Sequence, residues 1–168
     1  MKQTIIIFEG HDKAGKSTIA KALSEKIQVP IFKVKRNKYL WDAVVNLNYL
    51  TEGITQFIEQ TQSSAILDRW HASDYVYGKL FDRDVSYRKI FELDERFADM
   101  DALIVICYKK EASYIPDEED KEFITMNDYS KMTDLYKEFI LETKCRFVFI
   151  DTSDENLETQ LQTIIHNI

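Results

Sequence analysis

One motif constrains the fold of this chain more than any other feature. Residues Gly10 to Ser17 read Gly-His-Asp-Lys-Ala-Gly-Lys-Ser, a complete GxxxxGK[ST] pattern. It follows the apolar run Thr4–Phe8 and precedes a segment whose apolar residues Ile19 and Leu23 lie four apart. A glycine-rich loop between a strand and a helix turns its backbone N–H groups toward phosphate oxygens, and the helix N-terminus adds partial positive charge. The sequence therefore predicts a site for the phosphates of a nucleoside triphosphate such as ATP. Its residues are Gly10, His11, Asp12, Lys13, Ala14, Gly15, Lys16, Ser17 and Thr18.

Strand-like and helix-like segments alternate along the rest of the chain. Short apolar runs predict buried strands at Thr4–Phe8, Ala65–Leu67, Ala102–Cys107 and Phe147–Ile150, with a weaker strand at Ile31–Val34. Helical spacing predicts a long helix broken near Gly53, helices at Ser86–Phe97 and Asp128–Leu141, and a C-terminal helix capped by Ser153. Continuous apolar strands are typical of parallel sheets covered on both faces. We therefore expect an α/β fold with an about five-stranded parallel sheet.

The length of 168 residues fits one domain, since domains commonly hold about 100–200 residues. No repeat or linker divides the sequence, so we expect a single domain over residues 1–168, with a candidate lid at about 109–126. The apolar run near the N-terminus is too short for a membrane span or a signal peptide, and we expect a cytoplasmic protein with no membrane partner.

The charge of the chain is distributed unevenly. The formal net charge is −7, yet residues 1–38 contain nine Lys or Arg against three acidic residues, a local charge of +6. The remaining residues carry 13 basic and 26 acidic side chains. An acidic total argues against polymeric nucleic acid as a partner, because such binding needs clustered positive charge. The basic segment instead favours small phosphorylated ligands.

Two motifs resemble the thymidylate kinase family. Residues Phe8–Thr18 are similar to that family's FEGxDxAGKST loop, and residues Ile66–Tyr77 (ILDRWHASDYVY) resemble its LDRYxxSxxAY block. The resemblance implies a three-layer P-loop kinase fold with helices on both faces of the sheet, ATP and Mg²⁺ as cofactors, and phosphoryl transfer to a deoxynucleoside monophosphate. Dimerisation through helices, giving a homodimer, is an expectation that only the resemblance supplies. The chain is shorter than typical members, which favours a trimmed version such as a viral one.

The resemblance also assigns catalytic roles. These add to the roles that the loop motif itself predicts, in which Lys16 reaches the β- and γ-phosphates and the Ser17 hydroxyl holds Mg²⁺. Asp68 closes a buried strand beside the loop, where its carboxylate can hold Mg²⁺ or a catalytic water. Arg69, next to Asp68, would lie between the donor and acceptor phosphates. Lys13 occupies a loop position where part of the family has an Arg and lacks lid arginines. The candidate lid here contains no Arg, so we expect Lys13 to stabilise the transferring phosphoryl group.

The predicted acceptor site is less complete. The resemblance places Asp12 and Arg69 near the acceptor's phosphate, Arg36 on that phosphate, Tyr77 against the deoxyribose and Asp74 beside the base. The family's base-reading Arg is missing, and counting back from the Asp-Arg pair gives Asn48, which could hydrogen-bond a base edge. The base therefore stays open between thymine, uracil, a modified pyrimidine and cytosine.

Two other functions remain open at this level. A deoxynucleoside kinase has the same general fold, but it needs a carboxylate base for a 5′-hydroxyl, typically just after the second strand. This chain has Lys-x-Lys-Arg at 33–36, which favours an acceptor that is already phosphorylated. The Arg-free lid also allows a nucleotide-binding regulator with little turnover.

Overall fold

The computed structural model describes residues 3–34, 43–110, 126–154 and 156–168, with the backbone alone for 43–49, 126 and 127. Strands and helices alternate along these residues, as the sequence predicts. The strands are β1 (Ile5–Gly10), β2 (Ile31–Lys33), β3 (Ala65–Asp68), β4 (Leu103–Tyr108) and β5 (Arg146–Asp151). The helices are α1 (Lys16–Ile27), α2 (Ala43–Thr61), α3 (His71–Leu80), α4 (Tyr87–Asp99), α5 (Met126–Phe139) and α6 (Leu157–His166).

All described strands form one parallel sheet in the order β2-β3-β1-β4-β5. The register pairs Phe8 of β1 with Asp68 of β3, and Asp68 with Lys33 of β2. Because parallel strands end at the same edge of a sheet, the carboxyl ends of β1, β2 and β3 lie next to one another there. The predicted five-stranded parallel α/β fold is confirmed.

Apolar side chains fill both faces of the sheet. Ile5 and Ile7 belong to a core formed with α2, α3, α4 and α5, whereas Ile6 and Phe8 belong to a second core formed with α1 and α6. Successive residues of a strand point to opposite faces, so an uninterrupted apolar strand must be covered twice. This confirms the expected three layers, with helices on both faces.

Two local predictions were wrong. Helix α2 runs through Gly53 without a break. A Cβ at this position would meet no atom within 4 Å, so the glycine lies on an open side of the helix. Helix α6 is capped by Asn156, whose side chain accepts a hydrogen bond from the Thr159 N–H. Ser153 instead donates to Asp151 Oδ1 and accepts from the Lys110 N–H.

In the part of the chain that the structure describes, no helix combines the length and the apolar character that a membrane crossing requires.

Candidate phosphate-transfer site

Two glycines give the loop after β1 its shape. Gly10 has a φ of 121°, and a Cβ on it would lie 1.9 Å from the carbonyl oxygen of Cys107 in β4. Gly15 has a φ of 71° and is the N-cap of α1. Both positions therefore require the conformational freedom of glycine, and Gly10 also requires its lack of a side chain. The loop turns tightly at the sheet edge and leads directly into the N-terminus of α1.

Lys16 lies buried at the start of α1, with only 5% of its surface exposed. Its ammonium group donates a hydrogen bond to the carbonyl oxygen of His11, within the same loop. Burial, reinforced by the nearby Arg69 cation, lowers the pKa of Lys16 to about 8. An anion beside this ammonium would offset the burial cost, so the loop favours a negatively charged ligand.

Asp68 ends β3 beside the loop and is 4% exposed. Its Oδ2 accepts a hydrogen bond from Ser17 Oγ at 3.0 Å and pairs with Lys33 Nζ at 2.5 Å. Its Oδ1 is buried and accepts no hydrogen bond from any described residue. The Ser17 hydroxyl and the Asp68 carboxylate, which has one oxygen free of donors from the described residues, are hard oxygen ligands of the kind that Mg²⁺ prefers. The residues that the sequence predicts as metal ligands, Ser17 and Asp68, therefore lie together and fit a divalent cation.

Arg69, Asp12 and Tyr77 form a closed cluster on the other side of the loop. The Arg69 guanidinium pairs with Asp12 Oδ1 and donates to Tyr77 Oη at 2.9 Å, and Tyr77 Oη donates to Asp12 Oδ2 at 2.8 Å. Burial raises the pKa of Tyr77, so the phenol keeps its proton and remains a donor. Three predicted acceptor-site residues are thus brought into direct contact.

Arg69 of this cluster and Lys13 of the loop have strained backbones. Lys13 has a φ of 59° and Arg69 a φ of 64°, in the left-handed region that residues with a Cβ rarely adopt. Such conformations cost about 1–2 kcal/mol each and concentrate at binding and catalytic sites. Both side chains line the pocket described next.

A pocket of about 370 Å³ opens above these groups at the carboxyl edge of the sheet. Its lining carries four cations and two carboxylates, a formal charge of +2, in a protein whose net charge is −7. The lining residues are Asp12, Lys13, Gly15, Lys16, Ser17, Thr18, Lys33, Asp68 and Arg69. The pocket is therefore suited to phosphate groups, and seven of its nine lining residues come from the basic segment 1–38.

The His11 side chain faces away from this pocket. It is 1% exposed, stacks on Tyr129 with ring centroids 3.9 Å apart, and its Nε2 lies 3.0 Å from Thr133 Oγ1. Burial, followed by the Lys16 cation, lowers the pKa of His11 to about 4. Within the predicted nucleotide site, His11 thus offers its backbone, while its neutral ring attaches the loop to α5.

Glu9 holds the segment that carries Arg69, a role the sequence did not reveal. Its buried carboxylate accepts hydrogen bonds from Trp70 N at 2.8 Å, from Ser73 N at 3.2 Å and from Ser73 Oγ. An acidic side chain at a helix N-terminus satisfies free N–H groups and complements the helix dipole. In the sequence, Glu9 stood out only as an acid directly after an apolar run and as part of the segment that resembles FEGxDxAGKST.

Several predicted residues are placed less fully. Asp74 lies in the first turn of α3, and Ala14 is a buried residue of the loop itself. Arg36, the Asn48 side chain and residues 111–125 of the candidate lid lie outside the described residues, so their roles stay predictions. Lys33, which the sequence grouped with other basic residues after β2, proves to be a direct partner of Asp68.

Comparisons with solved structures identify the fold. The YorR protein from Bacillus subtilis, solved with phosphorylated GDP, matches with a TM-score of 0.70 at 23% identity, over 97% of this chain and 94% of that chain. A thymidylate kinase from Ehrlichia chaffeensis matches with a TM-score of 0.61 at 17% identity, over 99% and 98% of the two chains.

A deoxyadenosine kinase from M. mycoides, solved with the products dCMP and dCDP, matches with a TM-score of 0.63 at 18% identity, over 97% of both chains. No protein-family model matches this chain, and no curated protein sequence is significantly similar to it. At these identities the likeness concerns the fold alone, a three-layer α/β fold that this chain has in common with the YorR protein and the two kinases.

Proposed function

We propose that the protein transfers the γ-phosphoryl group of ATP to a deoxynucleoside monophosphate, giving ADP and the diphosphate. The observation that carries this proposal is the pocket in which Lys16, Arg69 and the Ser17–Asp68 pair converge. A basic phosphate pocket joined to a hard cation site suits phosphoryl transfer, in which charge neutralisation and positioning provide most of the catalysis.

Each group has a distinct role in this proposal. The loop N–H groups and Lys16 hold the β- and γ-phosphates. Ser17 and Asp68 hold Mg²⁺, which neutralises phosphate charge when it is bound. Arg69 is oriented by Asp12 and Tyr77, and its guanidinium faces the pocket where donor and acceptor phosphates would meet. Lys13 adds a second cation at the same pocket. A phosphate acceptor is already nucleophilic, so no strong base is required.

The end of β2 supports a phosphorylated acceptor over a nucleoside. A nucleoside kinase needs a carboxylate base there to take the 5′-hydroxyl proton, whereas this chain places the Lys33 ammonium there, 2.5 Å from Asp68. Both carboxylates that line the pocket are also engaged, Asp12 by Arg69 and Asp68 by Lys33. A nucleoside kinase stays the second candidate because one similar structure is a deoxyadenosine kinase.

The acceptor is proposed to be dTMP or a related pyrimidine monophosphate. Tyr77 packs beside Arg69, with the guanidinium carbon 5.4 Å from the ring centroid, where a deoxyribose near the transferred phosphate would lie. Asp74 lies on the same helix, three residues before Tyr77, and Arg36 and Asn48 complete the proposed acceptor site. The proposal treats residues 1–168 as one cytoplasmic domain, consistent with two free cysteines, Cys107 and Cys145, that are buried.

A panel assay tests the reaction. Deoxynucleosides and deoxynucleoside monophosphates are each incubated with ATP and Mg²⁺, and ADP formation is measured. We expect turnover with one or more pyrimidine monophosphates. Turnover with nucleosides alone would make the protein a nucleoside kinase, and ATP binding without any turnover would make it a nucleotide-binding regulator.

A matched pair of variants tests the site. Lys16→Met should lower the rate by about 10³-fold, because it removes the buried cation from the phosphate loop. Lys21→Met removes the same charge from an exposed position one turn after Ser17 on α1 and should leave the rate within twofold. Equal rates for the two variants would show that transfer, if present, does not use this loop.

A further inference from the structure

The ammonium group of Lys33, at the end of β2, lies against the side chains that fit a divalent cation. Its nitrogen lies 2.5 Å from Asp68 Oδ2 and 3.3 Å from Ser17 Oγ. The sheet imposes this placement, because Lys33 and Asp68 are register partners on adjacent parallel strands. The backbone therefore places the base of the Lys33 side chain beside Asp68, within reach of the metal ligands.

We propose that the Lys33 ammonium occupies the position of the divalent cation in the nucleotide-free protein, so that an incoming cation must displace it from Ser17 and Asp68. This inference rests on the proposed function, which requires a divalent cation at these two residues. The inference adds the Lys33 ammonium as a competitor of the divalent cation. Lys33 lies on β2 and belongs neither to the loop motif nor to the Asp-Arg pair.

The stability of the free protein gives a reason for such a competitor. The Asp68 side chain is 3% exposed, and a carboxylate buried without a cation would be strongly destabilising. Lys33 neutralises this charge through Oδ2 and leaves Oδ1 without a partner among the described residues. The site therefore stays folded without a metal while keeping one carboxylate oxygen open to it.

Two of the four cations that line the pocket, Lys33 and Arg69, differ in their ability to move. The Lys33 side chain is 46% exposed and carries its charge on a flexible four-carbon stem. Arg69 is 25% exposed and is held by both Asp12 and Tyr77. When Lys33 leaves the site it gives up its contacts with Asp68 and Ser17, and its ammonium can remain within the pocket that it already lines.

Manganese binding to the nucleotide-free protein tests this proposal without any catalytic step. Free Mn²⁺ is measured by electron paramagnetic resonance during titration of the wild type, Lys33→Met and the control Lys21→Met. We expect Lys33→Met to bind Mn²⁺ about tenfold more tightly than the wild type, a difference of about 1.4 kcal/mol. Lys21→Met, which removes an exposed charge one turn from Ser17, should bind like the wild type.

A double variant assigns the gain to the site. In Lys33→Met/Asp68→Asn, the additional Mn²⁺ affinity should disappear, because the carboxylate that receives the metal is gone. Unchanged or weaker Mn²⁺ affinity in Lys33→Met, or a gain that persists in the double variant, would overturn the proposal, as would equal gains in Lys33→Met and Lys21→Met. None of these results depends on phosphoryl transfer, so a failure here is distinguishable from a failure of the panel assay.

Discussion

Two buried aspartates sit in different surroundings and show how a binding carboxylate differs from a structural one. Asp68 ends β3 at the pocket, and Asp94 lies on α4 at 1% exposure. Asp94 Oδ1 accepts hydrogen bonds from His71 Nε2 at 2.9 Å and Thr143 Oγ1 at 2.5 Å, and its Oδ2 accepts one from the Lys144 N–H at 2.7 Å. Asp68 keeps Oδ1 free of donors from the described residues.

In Asp94 both carboxylate oxygens accept hydrogen bonds, so its network is closed, whereas in Asp68 one oxygen has no donor among the described residues and stays open to a ligand. Burial raises the pKa of Asp94, but the hydrogen bonds from His71, Thr143 and Lys144 outweigh it and hold that pKa below its ordinary value. Cys145 joins the network by donating from Sγ to the Asp94 carbonyl oxygen at 3.4 Å. Although His, Asp and Cys side chains lie together here, each is used in a protein contact. This cluster therefore joins the start of α3, α4 and the chain before β5.

Between the two aspartates, the larger effect on the transfer rate is expected in Asp68→Asn. The change removes a metal ligand while keeping the shape of the side chain, so the rate should fall by about 10²–10³-fold. The free energy of unfolding should change by less than about 1 kcal/mol, because the variant no longer buries a charge. Coupled ADP assays and urea unfolding measure the two quantities. If Asp68→Asn were strongly destabilised but kept its transfer rate per folded molecule, Asp68 would be a structural carboxylate and not a binding one.

Asp94→Ala should show the opposite pattern. Removing the carboxylate leaves His71, Thr143 and Lys144 without their acceptor, so the free energy of unfolding should fall by about 3 kcal/mol. The transfer rate per folded molecule should stay within about threefold, since Asp94 does not line the pocket. Thermal unfolding followed by circular dichroism measures the loss. Full stability together with a collapsed rate would contradict a structural role.

The buried His11 predicts a loss of stability in mild acid. Its pKa is lowered from 6.5 to about 4, so between these values the unfolded chain binds a proton that the folded protein does not. Stability should therefore decrease as the pH falls from 6.5 to 4, by up to about 3 kcal/mol from this group. Unfolding of the wild type and His11→Gln across that range isolates the contribution. Parallel pH profiles would show that His11 titrates normally in the folded protein.

The smallest expected effect concerns Tyr77→Phe. The change removes the hydroxyl that joins Asp12 to Arg69 but leaves the ring in place. Loss of this hydrogen-bonded link should raise the KM of the acceptor by about three- to tenfold, with little effect on the KM of ATP. Steady-state kinetics with each substrate varied in turn separates the two constants. An effect confined to ATP would place this cluster on the donor side.

The sequence predicted the parts of the molecule that depend on local pattern. The apolar runs indicated the strands. The loop motif between a strand and a helix located Lys16 and Ser17. The second motif, with its Asp-Arg pair, located the end of β3. These features are predictable because strand ends, glycine turns and helix starts are encoded within a few residues.

Contacts between distant segments were not predictable. The pairing of Lys33 with Asp68 depends on the register of two strands, and the contact of His11 with Thr133 depends on where α5 packs. The helix cap was misassigned because Ser153 and Asn156 are both good capping residues. Asp151 binds the Ser153 side chain and thereby leaves the cap to Asn156.

Hydrogen–deuterium exchange with and without ATP and Mg²⁺ tests the central claim most directly, because it reports on both aspartate regions in one experiment. We expect slower exchange at the loop amides of residues 10–18 and at 68–69 when the nucleotide is added. The amides of 143–146, beside the closed network of Asp94, should exchange at unchanged rates. Protection confined to the Asp94 region, or bound nucleotide that leaves residues 10–18 unprotected, would contradict the account.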